Sequence, residues 1–89
     1  MNEIEIKAII VGLGSRAKLK RQQLNLSIKE LSSLTGISVS SIKRFESGSL
    51  STSIYNIIKL NNFLKFNDDF NSLFAINKNE QNRNKFDKR

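Results

Sequence analysis

The chain has 89 residues and a net charge of +7, from 15 lysines and arginines against eight carboxylates. This length is enough for one small domain with a modest core. The absence of cysteine excludes disulfides and thiolate metal sites, and the absence of histidine removes the commonest general base and metal ligand. We therefore expect no enzyme, no metal and no cofactor.

Neither a membrane span nor a secretory signal is visible. The apolar run Ala8–Val11 falls far short of the roughly 20 residues that cross a bilayer. The start of the chain, Met1–Glu5, is acidic where a secretory signal would be basic. The sequence predicts a soluble, cytoplasmic protein.

Positive charge is concentrated in one window of the chain. Residues 15–44 hold seven of the lysines and arginines but a single carboxylate. Such a cluster is the electrostatic footprint of a protein that binds a polyanion. A solvated basic face without a partner would have the same composition.

Apolar residues recur at helical spacing through most of the chain, which predicts an all-α fold. The first helix should run from about Glu5 to Gln23. Gly12 and Gly14 should each weaken it by roughly 1 kcal/mol relative to alanine. The β-branched residues of segment 3–11 leave a strand as an alternative there.

The second helix begins with a capping box, in which Ser27 is the N-cap and Glu30 follows three residues later. Leu31 and Leu34 are expected to form its buried side. Gly36 supplies the left-handed conformation that ends a helix.

A third, short helix over 39–46 is expected after the N-cap Ser38. Ile42 and Phe45 should face inward because they are three residues apart. Gly48 should end this helix.

Two further helices are expected in the C-terminal half. Ser53 or Thr52 would cap a fourth helix that ends near Leu64, and Asn67 would begin a short fifth helix with two carboxylates in its first turn. The apolar residues of the fourth helix are Ile54, Ile57, Ile58, Leu60, Phe63 and Leu64. The sequence thus predicts a domain over 1–75 and a disordered basic tail over 76–89.

The second and third helices have the spacing of a helix-turn-helix. Ser32 is small where the helices would cross, Gly36 turns the chain, and Leu31, Ile37 and Ile42 would fill the wedge between them. The third helix would then enter the major groove of double-stranded DNA. The expected DNA-binding residues are Lys29, Ser38, Val39, Ser40, Ser41, Lys43, Arg44 and Ser47.

The stretch from Leu13 to Phe74 resembles the xenobiotic-response-element family, the Cro and phage-repressor type of helix-turn-helix. The matching strings are Leu13-Gly14, Arg21, Leu26-Ser27, Glu30-Leu31, Gly36-Ile37-Ser38, Ser41-Ile42, Phe45-Glu46-Ser47-Gly48 and Leu73-Phe74. The resemblance implies a five-helix fold, a palindromic operator and a structural ion pair between Arg21 and Glu46.

The chain departs from the family pattern at three positions. Ile28 stands where the family has a phosphate-binding glutamine, so that contact is in doubt. Ser32 replaces an alanine, and its hydroxyl can bond to a carbonyl one turn back. Asn61 also replaces an alanine, so we expect it to be exposed or hydrogen-bonded across an interface.

The string Arg44–Gly48, the Ile/Leu-rich fourth helix, the short fifth helix with its acidic start and the polar tail resemble HipB-type antitoxins. This resemblance implies a repressor of its own operon that binds a HipA-like toxin kinase. A phage or plasmid repressor without a toxin partner is the alternative within the family.

A homodimer is expected because the last two helices carry more apolar residues than a domain of this size can bury. The residues expected at the interface are Phe66, Phe70, Leu73 and Phe74. Closure of the monomer core by these residues is the alternative.

Three other classes of protein explain fewer features of the sequence. Gly12 and Gly14 could belong to a nucleotide-binding loop, but the third glycine of that motif is missing. The basic stretch Arg16–Arg21 after the apolar residues 9–13 could bind a membrane surface. A protein-interaction module would leave Lys43 and Arg44 without a role.

Overall fold

The computed structural model describes residues 1–67, which form four helices and no strand. These are α1 (Glu3–Gln23), α2 (Ile28–Thr35), α3 (Val39–Glu46) and α4 (Ile54–Leu64). The all-α class is confirmed, with four helices in this range instead of five. The expected fifth helix and the tail 76–89 lie outside the described residues. No helix within 1–67 is long and apolar enough to cross a membrane.

Helix α1 is continuous over the segment in which a strand was the alternative. A capping box that the sequence reading missed begins it two residues earlier than expected. The backbone N–H of Glu5 donates to Asn2 Oδ1 at 2.8 Å, and the backbone N–H of Asn2 donates to Glu5 Oε1 at 2.8 Å. Two of the N–H groups that a helix start leaves unpaired are thereby satisfied.

The glycine at position 14 is the point where α1 crosses the end of α3. Gly14 is buried, and a Cβ built on it would overlap the carbonyl oxygen of Phe45. Gly12, two residues earlier and on another side of the helix, has only the flexible end of Arg16 nearby, 3.9 Å from such a Cβ. Of the two glycines that were expected merely to weaken α1, Gly14 is therefore needed for packing.

Helix α2 has the expected capping box and the expected end. Ser27 Oγ accepts from the Glu30 backbone N–H at 2.9 Å, and the backbone N–H of Ser27 donates to Glu30 Oε1 at 2.8 Å. This backbone hydrogen bond, together with the side chain of Ser27, holds the pKa of Glu30 below its ordinary value. Gly36 follows as the C-cap with φ of +78°.

The prediction that Leu34 is buried is wrong, because Leu34 is 58% exposed. Thr35 occupies the inner position of that turn instead. Its hydroxyl donates to the carbonyl of Leu31 at 2.8 Å, so the polar group is satisfied inside the core. A hydroxyl that bonds to its own helix can thus lie inside while a leucine of the same turn faces solvent.

The core lies where the four helices meet. Leu31, Ile37 and Ile42 fill the wedge between α2 and α3 as expected, and Ser32 is partly buried beside them. The buried apolar residues are Leu13, Ala17, Leu31, Ile37, Ile42, Phe45, Ile57, Leu60, Leu64 and Phe66. Helix α3 contributes Ile42 and Phe45 to this core, so it packs against the other helices through one side.

Helix α4 begins after the N-cap Ser53, as one of the two alternatives predicted. Two residues expected on its apolar face, Ile54 and Phe63, are exposed. Asn61 is buried and bonds within the chain, which corrects the expectation of an exposed or interfacial side chain. Its Oδ1 accepts from the Asn67 backbone N–H at 3.0 Å, and its amide donates to the Asn67 carbonyl at 3.4 Å.

The expected interface residue Phe66 belongs to the core of the monomer. It is 9% exposed, and its ring lies 5.9 Å from that of Phe45 between centroids. The turn after α4, where Lys65 has φ of +59°, directs the chain back over α3. Phe66 therefore follows the alternative, closure of the core. Phe70, Leu73 and Phe74 lie outside the described residues.

Candidate nucleic-acid interface

Helix α3 has one buried side and one exposed side. Ile42 and Phe45 are fully buried, whereas Ser40, Lys43 and Arg44 are exposed. This division follows from the 3.6-residue period, because positions 40, 43 and 44 lie away from positions 42 and 45. Val39 is partly buried at the start of the helix. The structure therefore presents a short surface helix with two cations on its outward side.

A serine pair fixes the start of α3. Ser38 Oγ accepts from the backbone N–H of Ser41 at 3.1 Å and lies 2.9 Å from Ser41 Oγ, to which it donates. Arg44 Nη2 donates to the same Ser41 hydroxyl over a long 3.5 Å. Of the three serines at this helix start, Ser40 has the hydroxyl least committed to capping.

Ser47 completes the other end of α3. Its hydroxyl donates to the carbonyl of Lys43 at 2.8 Å and lies 3.2 Å from that of Arg44. These carbonyls belong to the last turn of α3 and also accept from the backbone N–H groups of Ser47 and Ser49. Ser47 is exposed at this helix end, and its expected contact with DNA stays a prediction.

A polar depression of about 200 Å³ lies between α3 and the start of α4. Arg44 borders it together with the hydroxyl-rich loop before α4. The lining residues are Ser41, Arg44, Ser51, Thr52, Ser53 and Asn56. Backbone N–H groups of a helix start beside an arginine form an arrangement that attracts phosphate. The sequence reading missed residues 51–56, and the signal was present in the hydroxyls that precede the α4 cap.

A second concavity, of about 280 Å³, lies between the end of α1 and the end of α3. Lys18 and Lys43 contribute cations to it, and Ile28 gives it an apolar wall. The family has glutamine at this wall, so the first turn of α2 here offers no side-chain hydrogen-bond donor from that position. Lys29, the next residue, is exposed on the same turn.

The ion pair expected between Arg21 and Glu46 is present and closed from solvent. Arg21 Nε donates to Glu46 Oε2 at 2.7 Å, and Nη2 donates to Oε1 at 3.0 Å. The two side chains are 10% and 5% exposed. Nη1 of Arg21 also donates to the carbonyl of Leu26 at 2.7 Å. One guanidinium thus joins α1, the loop before α2 and the last residue of α3.

The contacts of this pair also favour the charged form of Arg21. The hydrogen bonds that Arg21 donates to Glu46 raise the pKa of Arg21 above its ordinary value, although burial acts in the opposite direction. A raised pKa means that the Arg21 guanidinium stays charged throughout the physiological pH range. The position of α3 is therefore independent of pH in the physiological range as far as this arginine is concerned.

Comparison with known families identifies the arrangement of α2 and α3. The helix-turn-helix family model matches residues 18–70, which is more than half of the chain and includes all of α2, α3 and α4. No curated protein and no solved structure matches the chain. The chain therefore belongs to the helix-turn-helix family, whose members bind DNA through the second helix of the pair.

Proposed function

We propose that this protein is a transcriptional repressor that binds a palindromic operator as a homodimer, with α3 in the major groove. The observation that supports it best is the division of α3. Its inner residues are fully buried, and its outward residues include Lys43 and Arg44. A helix held rigidly from one side, with cations on the other, suits sequence-specific reading of DNA.

The outward side chains of α3 differ in how far they can extend toward DNA. Lys43 and Arg44 have side chains long enough to reach guanine edges, for which a bidentate arginine is the commonest partner. Ser40 and Val39 lie nearer the start of α3, and the methyl groups of Val39 suit a thymine methyl. The depression beside Arg44 would take a backbone phosphate, which fixes orientation without reading sequence.

Replacing Arg44 with alanine should weaken binding to the operator by about 5- to 150-fold, because a bidentate contact discriminates by ~1–3 kcal/mol. The operator is first selected from random duplexes, and affinity is then measured by gel shift at about 150 mM salt. Lys7→Ala serves as the control, since Lys7 is an exposed cation at the far end of α1. Equal affinity of Arg44→Ala and the unchanged chain would contradict the assignment.

Binding to any duplex should weaken steeply with salt. We expect phosphates to be neutralised by Lys18, Lys20 and Lys29 and by the cations of the sequence 78–89. Each phosphate contact adds about 0.9 to the magnitude of the log–log salt slope. Lys29→Ala should therefore lower the slope by up to about 0.9 without changing which operator is preferred. A salt-independent affinity of the unchanged chain would refute the electrostatic contribution.

The resemblance of residues 44–48 to HipB-type antitoxins adds a protein partner to the proposal, a HipA-like toxin kinase. Co-purification with the product of a neighbouring reading frame would support it. A phage or plasmid repressor would have no such partner. The function places the chain in the cytoplasm, and binding to liposomes in place of duplex DNA would favour a membrane-surface module instead.

A further inference from the structure

The concavity between the end of α1 and the end of α3 has two lysines at its edge. Lys18 and Lys43 border it, and both residues are exposed. Within residues 1–67, neither ammonium group has a carboxylate partner. Two like charges beside one concavity repel each other, so an anion bound between them would be attracted by both.

The pair of Arg21 and Glu46 lines the same concavity without adding to its charge. Glu46 accepts from Arg21 Nε at 2.7 Å and from Nη2 at 3.0 Å, so these two charges compensate each other. Arg21 Nη1 donates to the carbonyl of Leu26 at 2.7 Å. The net positive charge of the concavity therefore comes from Lys18 and Lys43, and Glu46 is not free to repel an anion.

One wall of the concavity is apolar. Ile28, the first residue of α2, packs partly against the core and also lines the concavity. The volume of about 280 Å³ is several times the ~30 Å³ of one water molecule, which leaves room for a group of several heavy atoms. The ligand that suits such a site has an anion next to carbon atoms. The DNA backbone has this composition, because each phosphate adjoins a deoxyribose.

The place of the concavity beside α3 also fits a DNA backbone. The major groove is about 12 Å wide and a helix with its side chains is about 10–12 Å across. A helix in the groove therefore has one sugar–phosphate backbone on each side. Lys43 borders the concavity toward α1, whereas Arg44 borders the depression toward α4. The two neighbouring cations of α3 thus lie on the sides of different DNA strands.

We propose that Lys18 and Lys43 together hold one phosphate of the DNA backbone in this concavity, with the adjoining deoxyribose against Ile28. This site depends on the proposed function, because α3 must lie in the major groove. Lys43 is long enough for a guanine edge, but a lysine that shares a phosphate with Lys18 fixes orientation and adds no sequence preference. Arg44 is then the one cation of α3 that is available to read a base.

The salt dependence of binding to a duplex of arbitrary sequence counts the phosphates that the two lysines hold. Each neutralised phosphate adds about 0.9 to the magnitude of the log–log slope. The double change Lys18→Gln with Lys43→Gln should lower the slope by about 0.9, and each single change should lower it by less, because the other lysine still holds the phosphate. A fall of about 1.8 would indicate two separate phosphates, at ~0.9 for each. That result, or an unchanged slope, would overturn the proposal.

The matched control is Lys7→Gln, which removes an exposed cation near the opposite end of α1 and should leave the slope unchanged. The variants at positions 18 and 43 should keep the melting temperature of the unchanged chain. Both positions are exposed, and glutamine forms helices about as well as lysine. A change in slope would therefore report the contact with DNA and not a loss of folding.

Selection from random duplexes tests the role of Lys43. Lys43→Gln should select the same sequence as the unchanged chain and should weaken binding to the operator and to a scrambled duplex by the same factor. Arg44→Gln makes the same charge change at the next residue and should weaken binding to the operator more than to the scrambled duplex. A different selected sequence for Lys43→Gln would show that Lys43 reads a base and would overturn the proposal.

An uncharged methylphosphonate, placed at each phosphate of one operator half-site in turn, locates the contact. The unchanged chain should lose affinity at several positions. At one of these positions the double variant should lose nothing further, because its side chains no longer hold that phosphate. Equal losses for the two chains at every position would contradict the shared site.

The phosphate site and the repressor function fail separately. If the unchanged chain selects no operator but the double variant lowers the slope by about 0.9 on any duplex, the reading of an operator fails and the phosphate site stands. If an operator is selected but the double variant keeps the slope of the unchanged chain, the phosphate site fails and the repressor function stands.

Discussion

Replacing Arg21 with alanine should destabilise the fold by about 3–5 kcal/mol, because it leaves the carboxylate of Glu46 buried without a partner. The side chain of Glu46 is 5% exposed, and the Leu26 carbonyl loses its donor as well. A domain of this size has only ~5–15 kcal/mol in total, so the melting temperature should fall by tens of degrees. Thermal unfolding followed by circular dichroism measures this.

Two further variants test whether the loss of stability comes from leaving a buried charge without its partner. Lys7→Ala removes the ion pair with Glu3, which is 3.7 Å long and exposed, and should cost well under 1 kcal/mol. Replacing both partners, with Arg21→Met and Glu46→Leu together, should recover much of the loss because no unpaired charge remains. An Arg21→Ala chain that melts at the temperature of the unchanged chain would show that the pair does not hold α3.

Replacing Gly14 with alanine should destabilise the fold by at least about 3 kcal/mol, the upper part of the range for overpacked cores. The added methyl would overlap the Phe45 carbonyl, and a backbone atom at a helix crossing cannot turn aside as a side chain can. Separation of α1 from α3 is the only relief. Urea unfolding gives the change in free energy.

The same substitution at Gly12 is the matched control. Alanine is the better helix former by about 1 kcal/mol, and a Cβ at Gly12 meets only the end of Arg16 at 3.9 Å. Gly12→Ala should therefore stabilise the chain slightly, while Gly14→Ala destabilises it. Equal effects at the two positions would refute the close crossing of α1 and α3.

The sequence predicted well those features that depend on neighbouring residues. The capping box of Ser27 and Glu30, the left-handed Gly36 and the N-cap Ser38 all lie where expected. Each is a local hydrogen bond or backbone conformation that three or four residues determine. The wedge of Leu31, Ile37 and Ile42 was also predicted, because their spacing left one common side for them.

Features that depend on distant residues were not predictable in the same way. Gly14 appeared to be a weak point in a helix, since nothing near it in sequence shows that Phe45 passes against it. Two other misses involve partners near in sequence that the helical pattern does not show. Thr35 is buried in place of Leu34 because its hydroxyl bonds to the carbonyl of Leu31, and Asn61 is buried because its amide bonds to the backbone of Asn67.

The two sides of α3 are subject to separate evolutionary constraints. Ile42 and Phe45 support the fold, whereas Ser40, Lys43 and Arg44 make no contribution to the core. Substitutions on the outward side would therefore change operator preference at almost no cost in folding free energy, since exposed positions tolerate change within about 0.5 kcal/mol. After a gene duplication, two such copies could diverge to control different operators within a few substitutions. Each intermediate variant would still fold.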